Sequence, residues 1–328
     1  MILCVSMNPA VDKMLKIKTI NVGKVNRAML ESVHAGGKAI NVAFDLLVQG
    51  EDPYVTGFVG GKTGVMITEE LKLRQMPYEF VRLSSETRTN MNYIDERGRV
   101  TEILETGHLV DAESERNFIT VYQKLLKKAD MVVLSGSIPV GLTDEMYAIL
   151  TDMANKERIP VCLDASNEAL SIAVEHAPFL IKPNLDELEN LTSHKYDLSK
   201  LDDSIEAFFR DKSFRNVLLP DLTDLLNKGI MIICVTLGEK GLILYAKDRL
   251  ILCKAPKVDV INTVGSGDCT LAALIHSLKK NAPLLDSAIY ATAVSSAHVT
   301  TMNVADVDPR LVISLTEKVE YGVYKVTG

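Results

Sequence analysis

The chain has 328 residues, 47% hydrophobic and 24% charged, the mix of a folded globular protein, which excludes disordered and fibrous classes. Lys and Arg number 36 against 43 Asp and Glu, a net charge of −7 without a basic run, which argues against holding nucleic acid by its phosphates. The longest apolar runs, such as residues 229–236, fall far short of the roughly 20 residues of a membrane span. The N-terminal Met-Ile-Leu-Cys-Val-Ser-Met-Asn carries neither a basic segment nor a small-residue cleavage site, so a cytoplasmic protein is expected.

In chain order, apolar and β-branched runs recur at residues 2–6, 54–59, 131–135, 160–164, 179–182 and 230–236. They are near-continuous rather than alternating, as strands buried on both faces of a parallel sheet require. Helical patterns lie among them at 39–47, 67–74, 115–127 and 144–156, and alternation of this kind predicts βαβ units. Near the C-terminus Leu271, Ile275 and Leu278 share one face of a helix over 268–280, stopped by Asn281 and Pro283. Residues 12–34 and 87–109 differ, with mixed polar and apolar alternation and turn residues, and read as exposed antiparallel strands. At about 150 residues per domain the length suits two domains. Both excursions interrupt the α/β pattern, however, so the expectation is one domain over residues 1–328. It is an α/β fold with a doubly wound, mostly parallel sheet and a small inserted strand lid. Residues 193–228 are assigned only loosely to helix and loop.

Of the five cysteines, Cys4, Cys162, Cys234 and Cys253 sit inside apolar runs and Cys269 follows a glycine-rich turn; no C-x-x-C pair occurs. They read as reduced core thiols. The six histidines show no metal-ligand spacing, and Gly136-Ser137-Ile138-Pro139 lacks the nucleophile elbow of hydrolases.

Glycine concentrates at four strand-end turns. Residues 56–63 end in Gly61-Lys62-Thr63 like a phosphate-binding P-loop, but the position that needs the first glycine holds Thr56. Residues 262–268, Asn-Thr-Val-Gly-Ser-Gly-Asp, lead into a helix. Glycines there let backbone N–H groups approach an anion, and the helix start adds unpaired donors and the positive end of its dipole. Asp268 then reads either as a helix cap or as a base beside an anion hole. Gly36-Gly37-Lys38, with Asn41 one turn on, suits sugar hydroxyls or phosphate, or a plain tight turn. The fourth turn, residues 135–141, lies where α/β sheets place ligands.

In order and spacing, the motifs Asn8-Pro9-Ala10-Val11-Asp12, Gly36-Gly37-Lys38, Asn41-Val42-Ala43, Thr87-Arg88-Thr89-Asn90, Ser135-Gly136-Ser137-Ile138-Pro139, Lys182-Pro183-Asn184-Leu185-Asp186-Glu187, Thr236-Leu237-Gly238 and Gly265-Ser266-Gly267-Asp268 resemble the ribokinase-like (PfkB) carbohydrate kinases. The match extends from Asn8 to about Ala297. The Asn-Pro-Ala-Val-Asp start with Thr-Arg-x-Asn is similar to the hexose-phosphate branch, tagatose-6-phosphate kinase and 1-phosphofructokinase. Ala39 stands where many relatives have glycine and Ser266 where many have alanine.

The resemblance implies transfer of the γ-phosphoryl group of ATP, with Mg²⁺, to a hydroxyl of a sugar phosphate. It implies Asp268 as the base and the N–H groups of Gly265, Ser266, Gly267 and Asp268 as the anion hole. Asp12, Gly36, Gly37, Asn41, Asn90 and Ser137 would face the sugar, and Arg27, Lys38 and Arg88 would hold its phosphate. Thr236, Gly238, Gly241 and Asn262 would contact the nucleotide, and Asn184 and Glu187 would organise Mg²⁺ through water. Asn184-x-x-Glu187 also reads as a helix capping box, which leaves both uses open. At its reference pKa of about 3.9 Asp268 would be ionised at neutral pH. Strand alternation puts Arg88, Asn90 and Asn92 on one face, where an anionic substrate fits. Paired lids would make a homodimer, and neither nucleic acid nor membrane is expected as a partner.

Overall fold

A computed structural model describes residues 1–326. Its strands are β1 (Ile2–Ser6), β2 (Ala10–Ile17), β3 (Ala28–Gly36), β4 (Pro53–Gly60), β5 (Tyr78–Leu83), β6 (Arg88–Asp95), β7 (Val100–Leu104), β8 (Met131–Ser135), β9 (Val161–Asp164), β10 (Leu180–Ile181), β11 (Ile232–Thr236), β12 (Leu242–Ala246), β13 (Arg249–Lys254) and β14 (Glu320–Lys325). Ten form one sheet in the order β14-β13-β12-β11-β10-β9-β8-β1-β4-β5. From β5 to β11 every neighbouring pair is parallel, and β12, β13 and β14 extend the sheet antiparallel.

Alternate residues of each strand enter opposite cores. Leu3, Val5, Val132 and Leu134 pack with Phe118 and Tyr122 of helix Ala112–Leu126 and Tyr147 of helix Met146–Lys156. Ile2, Cys4, Met131 and Val133 pack with Ile40 and Phe44 of helix Lys38–Val48 and with Leu271 and Leu274 of helix Ser266–Lys279. This is why the strands read as continuous apolar runs: both faces are covered by helices. The four core cysteines and Cys269 are buried free thiols.

The four remaining strands form a second sheet, β3-β2-β6-β7, built from the two excursions. The all-antiparallel expectation is corrected here, because β2 and β6 run parallel, Asp12 opposite Asn90, with antiparallel neighbours on either side. Chain passes through the large sheet between β2 and β6, so they are not hairpin partners. Helix Leu284–His298 and the β12–β13 hairpin were not anticipated. The helix is built from small and apolar residues all round, which gives no one-sided pattern to read. Residues 193–228 form short helices, Lys200–Asp203, Ile205–Arg210 and Leu219–Asn227, with a π-helical turn Phe214–Leu218 between the last two.

Candidate active site

Ser6, Ser135, Asp164 and Thr236 end β1, β8, β9 and β11, and Lys182 follows β10. All five line a cleft of about 1490 Å³ at the carboxyl edge of the parallel strands, the usual ligand position of such sheets. The small sheet faces them with Asp12 of β2, Arg88, Asn90 and Asn92 of β6, and Glu102 of β7.

At its centre is Asp164, fully buried. Lys38 Nζ lies 3.1 Å from one of its carboxylate oxygens and Lys182 Nζ 3.3 Å from the other. Burial alone would raise the Asp164 pKa, but Lys182 and then Lys38 hold it below the usual carboxylate range. Asp164 in turn keeps Lys38 firmly protonated. One carboxylate between two ammonium groups leaves a local positive excess beside Asp268.

Asp268 sits in the first turn of helix Ser266–Lys279, and Asn41 Nδ2 donates to its Oδ2 at 2.8 Å. Burial pushes its pKa up to about 7, opposed by Lys38, reinforced by Asp164 and opposed again by Asn41. Burial thus supplies the strong perturbation under which the reference value no longer holds, and Asp268 titrates near neutral pH. It is not a side-chain cap for its helix, whose N-cap is Gly265 at φ 82°.

The N–H of Ser266 bonds Thr263 O at 3.2 Å and that of Cys269 bonds Gly265 O at 2.9 Å. Those of Gly267 and Asp268 have no backbone acceptor among the described residues and remain available to an anion. A Cβ on Gly267 would lie 3.2 Å from Lys182 Nζ, so that lysine stands next to the hole. Of the four N–H groups expected there, Ser266's is therefore occupied by its own turn.

On the other side, Asn90 Nδ2 donates to Asp12 Oδ1 at 2.8 Å. Burial pushes the Asp12 pKa up to about 6, with Asn90 and Arg88 opposing and Glu102 adding to it. Gly36 does not line the cleft; it supports Asp12, since a Cβ there would fall 2.0 Å from Asp12 Oδ2. Gly37, at φ 97°, turns the chain into helix Lys38–Val48 and does line it. Arg88 donates through Nε to Asn8 O at 3.1 Å and through Nη1 to Glu105 O at 3.0 Å, which fixes the guanidinium in the cleft wall. Ser137 Oγ accepts from Asn8 Nδ2 at 3.0 Å. The buried oxygens Asn8 Oδ1, Asn90 Oδ1 and Asn92 Oδ1 have no partner among the described residues, a set of acceptors suited to hydroxyl donors.

Asn184 and Glu187 make a reciprocal capping box at the start of helix Leu185–Thr192, and both also line the cleft. The cap uses Glu187 Oε2, which accepts the Asn184 N–H at 2.8 Å. Thr236, Gly238 and Gly241 line the far end, where Gly241 is required because a Cβ would fall 1.9 Å from Cys253 O.

Besides Gly36, two expected residues lie elsewhere. Arg27 is in the exposed connection between β2 and β3, outside the cleft, because β2 carries the chain away from it as far as Ile17. Asn262 is buried with its side chain committed to the main chain, Nδ2 to Met302 O and Oδ1 to Val264 N, both at 3.0 Å, so it shapes the turn before the anion hole. Asp164, Lys182, Asn8 and Glu102 were not anticipated as site residues, whereas strand alternation had put Asn92 on the cleft-facing side. A charged residue closing an apolar run, as in Val-Cys-Leu-Asp164, was the available signal. The false P-loop is answered by Glu86, whose carboxylate accepts the N–H groups of Lys62 and Thr63 and so caps the helix start from within.

The family model of the pfkB family carbohydrate kinases matches residues 6–310. The chain belongs to that family. It is a carbohydrate kinase, and the family implies ATP as phosphoryl donor. Phosphofructokinase-2 of Escherichia coli, in complex with fructose-6-phosphate, has the same fold at TM-score 0.82 and 22% identity over 97% of this chain and 98% of that one. A Thermotoga maritima protein described as a possible 1-phosphofructokinase superposes at TM-score 0.81, with 24% identity over 99% of each chain. The mostly parallel sheet with its helix layers is the ribokinase-like α/β fold of PfkB kinases. Among the described residues no helix is long and apolar enough to cross a membrane.

Proposed function

We propose that this PfkB kinase phosphorylates a ketohexose phosphate, tagatose 6-phosphate or fructose 1-phosphate, to the bisphosphate. The observation that carries this reading is the cleft's combined chemistry. Asp268 with the N–H groups of its turn and Arg88 with Asp12, Asn90 and Asn92 line the same cleft.

Asp268 takes the proton of the acceptor hydroxyl as the phosphoryl group arrives. The Gly267 and Asp268 N–H groups, with Lys182 and Lys38, neutralise charge on the moving group, which is most of what phosphoryl transfer asks of a protein. Asp12 and the asparagine oxygens orient the sugar, and Arg88 anchors its phosphate. Thr236, Gly238 and Gly241 accommodate the nucleotide. Glu187 suits Mg²⁺, since that ion keeps water and takes few carboxylates. Asn184 would orient Glu187 through the cap, and the ion would screen the phosphate charges. The small sheet acts as a lid that keeps water from the transferring group.

Met29, Leu30, Ile103 and Leu104, on the two edge strands of the lid, are between 49% and 62% exposed. They favour pairing of lids from two copies, and sedimentation at a fixed low concentration gives a dimer on this reading and a monomer if it is wrong. A kinase of unphosphorylated sugars is the second reading, favoured by Arg27 lying outside the cleft. ADP release measured across tagatose 6-phosphate, fructose 1-phosphate, fructose 6-phosphate and the free sugars separates the two. Turnover restricted to free sugars overturns the first.

A further inference from the structure

Behind the anion hole lies a second group of side chains with no part in the chemistry above. Asp45 of helix Lys38–Val48, Cys269 of helix Ser266–Lys279 and His298 at the end of helix Leu284–His298 present a carboxylate oxygen, a thiol sulfur and a ring nitrogen. These atoms all lie within 4.8 Å of one another. All three residues are at least 97% buried. Three helices far apart in sequence thus converge three different ligand types on one point.

Two of the three have an unused polar atom there. His298 Nε2 donates to Val264 O at 2.8 Å, which makes Nδ1 the lone-pair nitrogen of the neutral ring, and Nδ1 has no partner. Asp45 Oδ2 is also buried and accepts no hydrogen bond of good geometry among the described residues, although the Cys269 thiol beside it favours its ionised form. A histidine held by a backbone carbonyl through one nitrogen while the other stands free is the usual arrangement of a metal-ligating imidazole. A buried polar atom left unpaired costs about 1–3 kcal/mol, so two in one place call for an occupant.

We propose that Asp45, Cys269 and His298 form a binding site for a zinc-class divalent cation, distinct from the Mg²⁺ that accompanies ATP. A carboxylate, a thiolate and a neutral imidazole match the ligand preferences of such an ion, and sulfur and nitrogen ligation disfavours Mg²⁺. The two anionic ligands cancel the ion's charge, which a buried site requires. Binding expels the thiol proton and any proton on Asp45, and no other bond is broken. Ligand bonds of roughly 2.0–2.3 Å in a tetrahedral site put the ligand atoms about 3.3–3.8 Å from one another, so atoms within 4.8 Å need only small side-chain rotations to bind. A bound ion ties Cys269, next to the base, to His298, which holds Val264, and so joins the two ends of the Gly265–Asp268 turn.

The test is direct binding of the metal alone to the full-length, chelator-stripped protein. Co²⁺ is the spectroscopic probe, with excess Zn²⁺ as competitor and Mg²⁺ as control. One Co²⁺ per chain with a thiolate-to-cobalt absorption band, displaced by Zn²⁺ and not by Mg²⁺, is expected. Cys269→Ser should abolish the band. His298→Gln, which keeps an N–H for Val264 O and removes the free ring nitrogen, should weaken Co²⁺ at least 10-fold while circular dichroism reports a native fold. Absence of the band in the parent protein overturns the site even if no variant folds, and so does a persisting band in Cys269→Ser or an unchanged Co²⁺ affinity in His298→Gln. None of these readouts uses turnover, so the site stands or falls apart from the proposed reaction.

Discussion

Asn41 Nδ2 donates to Asp268 Oδ2 at 2.8 Å, joining the first turns of two helices whose residues are 227 positions apart. The bond favours the ionised carboxylate against the burial that raises its pKa. It makes the charge state of Asp268, the proposed base, depend on a residue one helical turn after Gly37.

Because the base acts only when ionised, kcat/KM should rise with pH up to about 7, where Asp268 titrates, and level off above it. Asn41→Ala removes a bond to the ionised form. The acid limb should therefore move to higher pH, with turnover at pH 6.5 reduced about 10- to 100-fold, as a charged hydrogen bond of about 1.5–3 kcal/mol implies. A variant whose rate falls equally at every pH would assign Asn41 to packing alone.

Asp268→Asn should lower kcat by about 10²–10⁴-fold, the span of general-base loss, and should also stabilise the fold at alkaline pH. The Asp268 pKa is raised on folding, so its contribution to stability is full below an unfolded pKa of about 3.9 and is lost as pH rises through the folded value of about 7. The variant lacks that loss. Its Tm should exceed the parent's by a few degrees at pH 8 and by much less at pH 4.5, as calorimetry can measure.

Arg88→Ala removes a guanidinium that Asn8 O and Glu105 O hold in place. KM for the sugar phosphate should rise about 10- to 100-fold, as a charged hydrogen bond of about 1.5–3 kcal/mol implies. KM for ATP should stay within a factor of two. Equal increases in both would mean that the cleft wall itself had collapsed.

Asp164→Asn leaves Lys38 and Lys182 without the carboxylate that both contact. Removing one partner of a buried charge cluster costs about 3–5 kcal/mol, so the midpoint in a urea titration should fall well below the parent's. Adding Lys182→Met should recover part of the loss. If the single substitution is silent, the two lysines find other counterions.

Much of this was legible along the chain. Continuous apolar runs between helical patterns identify a parallel sheet because burial on both faces removes alternation, and the β-rich excursions at 12–34 and 87–109 are where the second sheet forms. The glycine turns and Asp268 were readable because a close backbone approach and a helix start are local properties. Helix Leu284–His298 escaped because its small and apolar residues are spread around the axis, which erases periodicity. The parallel pairing of β2 with β6 escaped because it depends on the path of the chain between them.

By itself, then, the sequence determined the fold class, the order of the glycine turns and the family resemblance that the kinase model bears out. Only the tertiary structure decided the electrostatics. Asp164 between two lysines, Asp268 titrating near neutrality, Arg27 outside the cleft and the Asp45–Cys269–His298 cluster all depend on distances between segments far apart in the chain. Charge interactions and desolvation act through space and scale with burial, and neither is written in the spacing of residues along a chain.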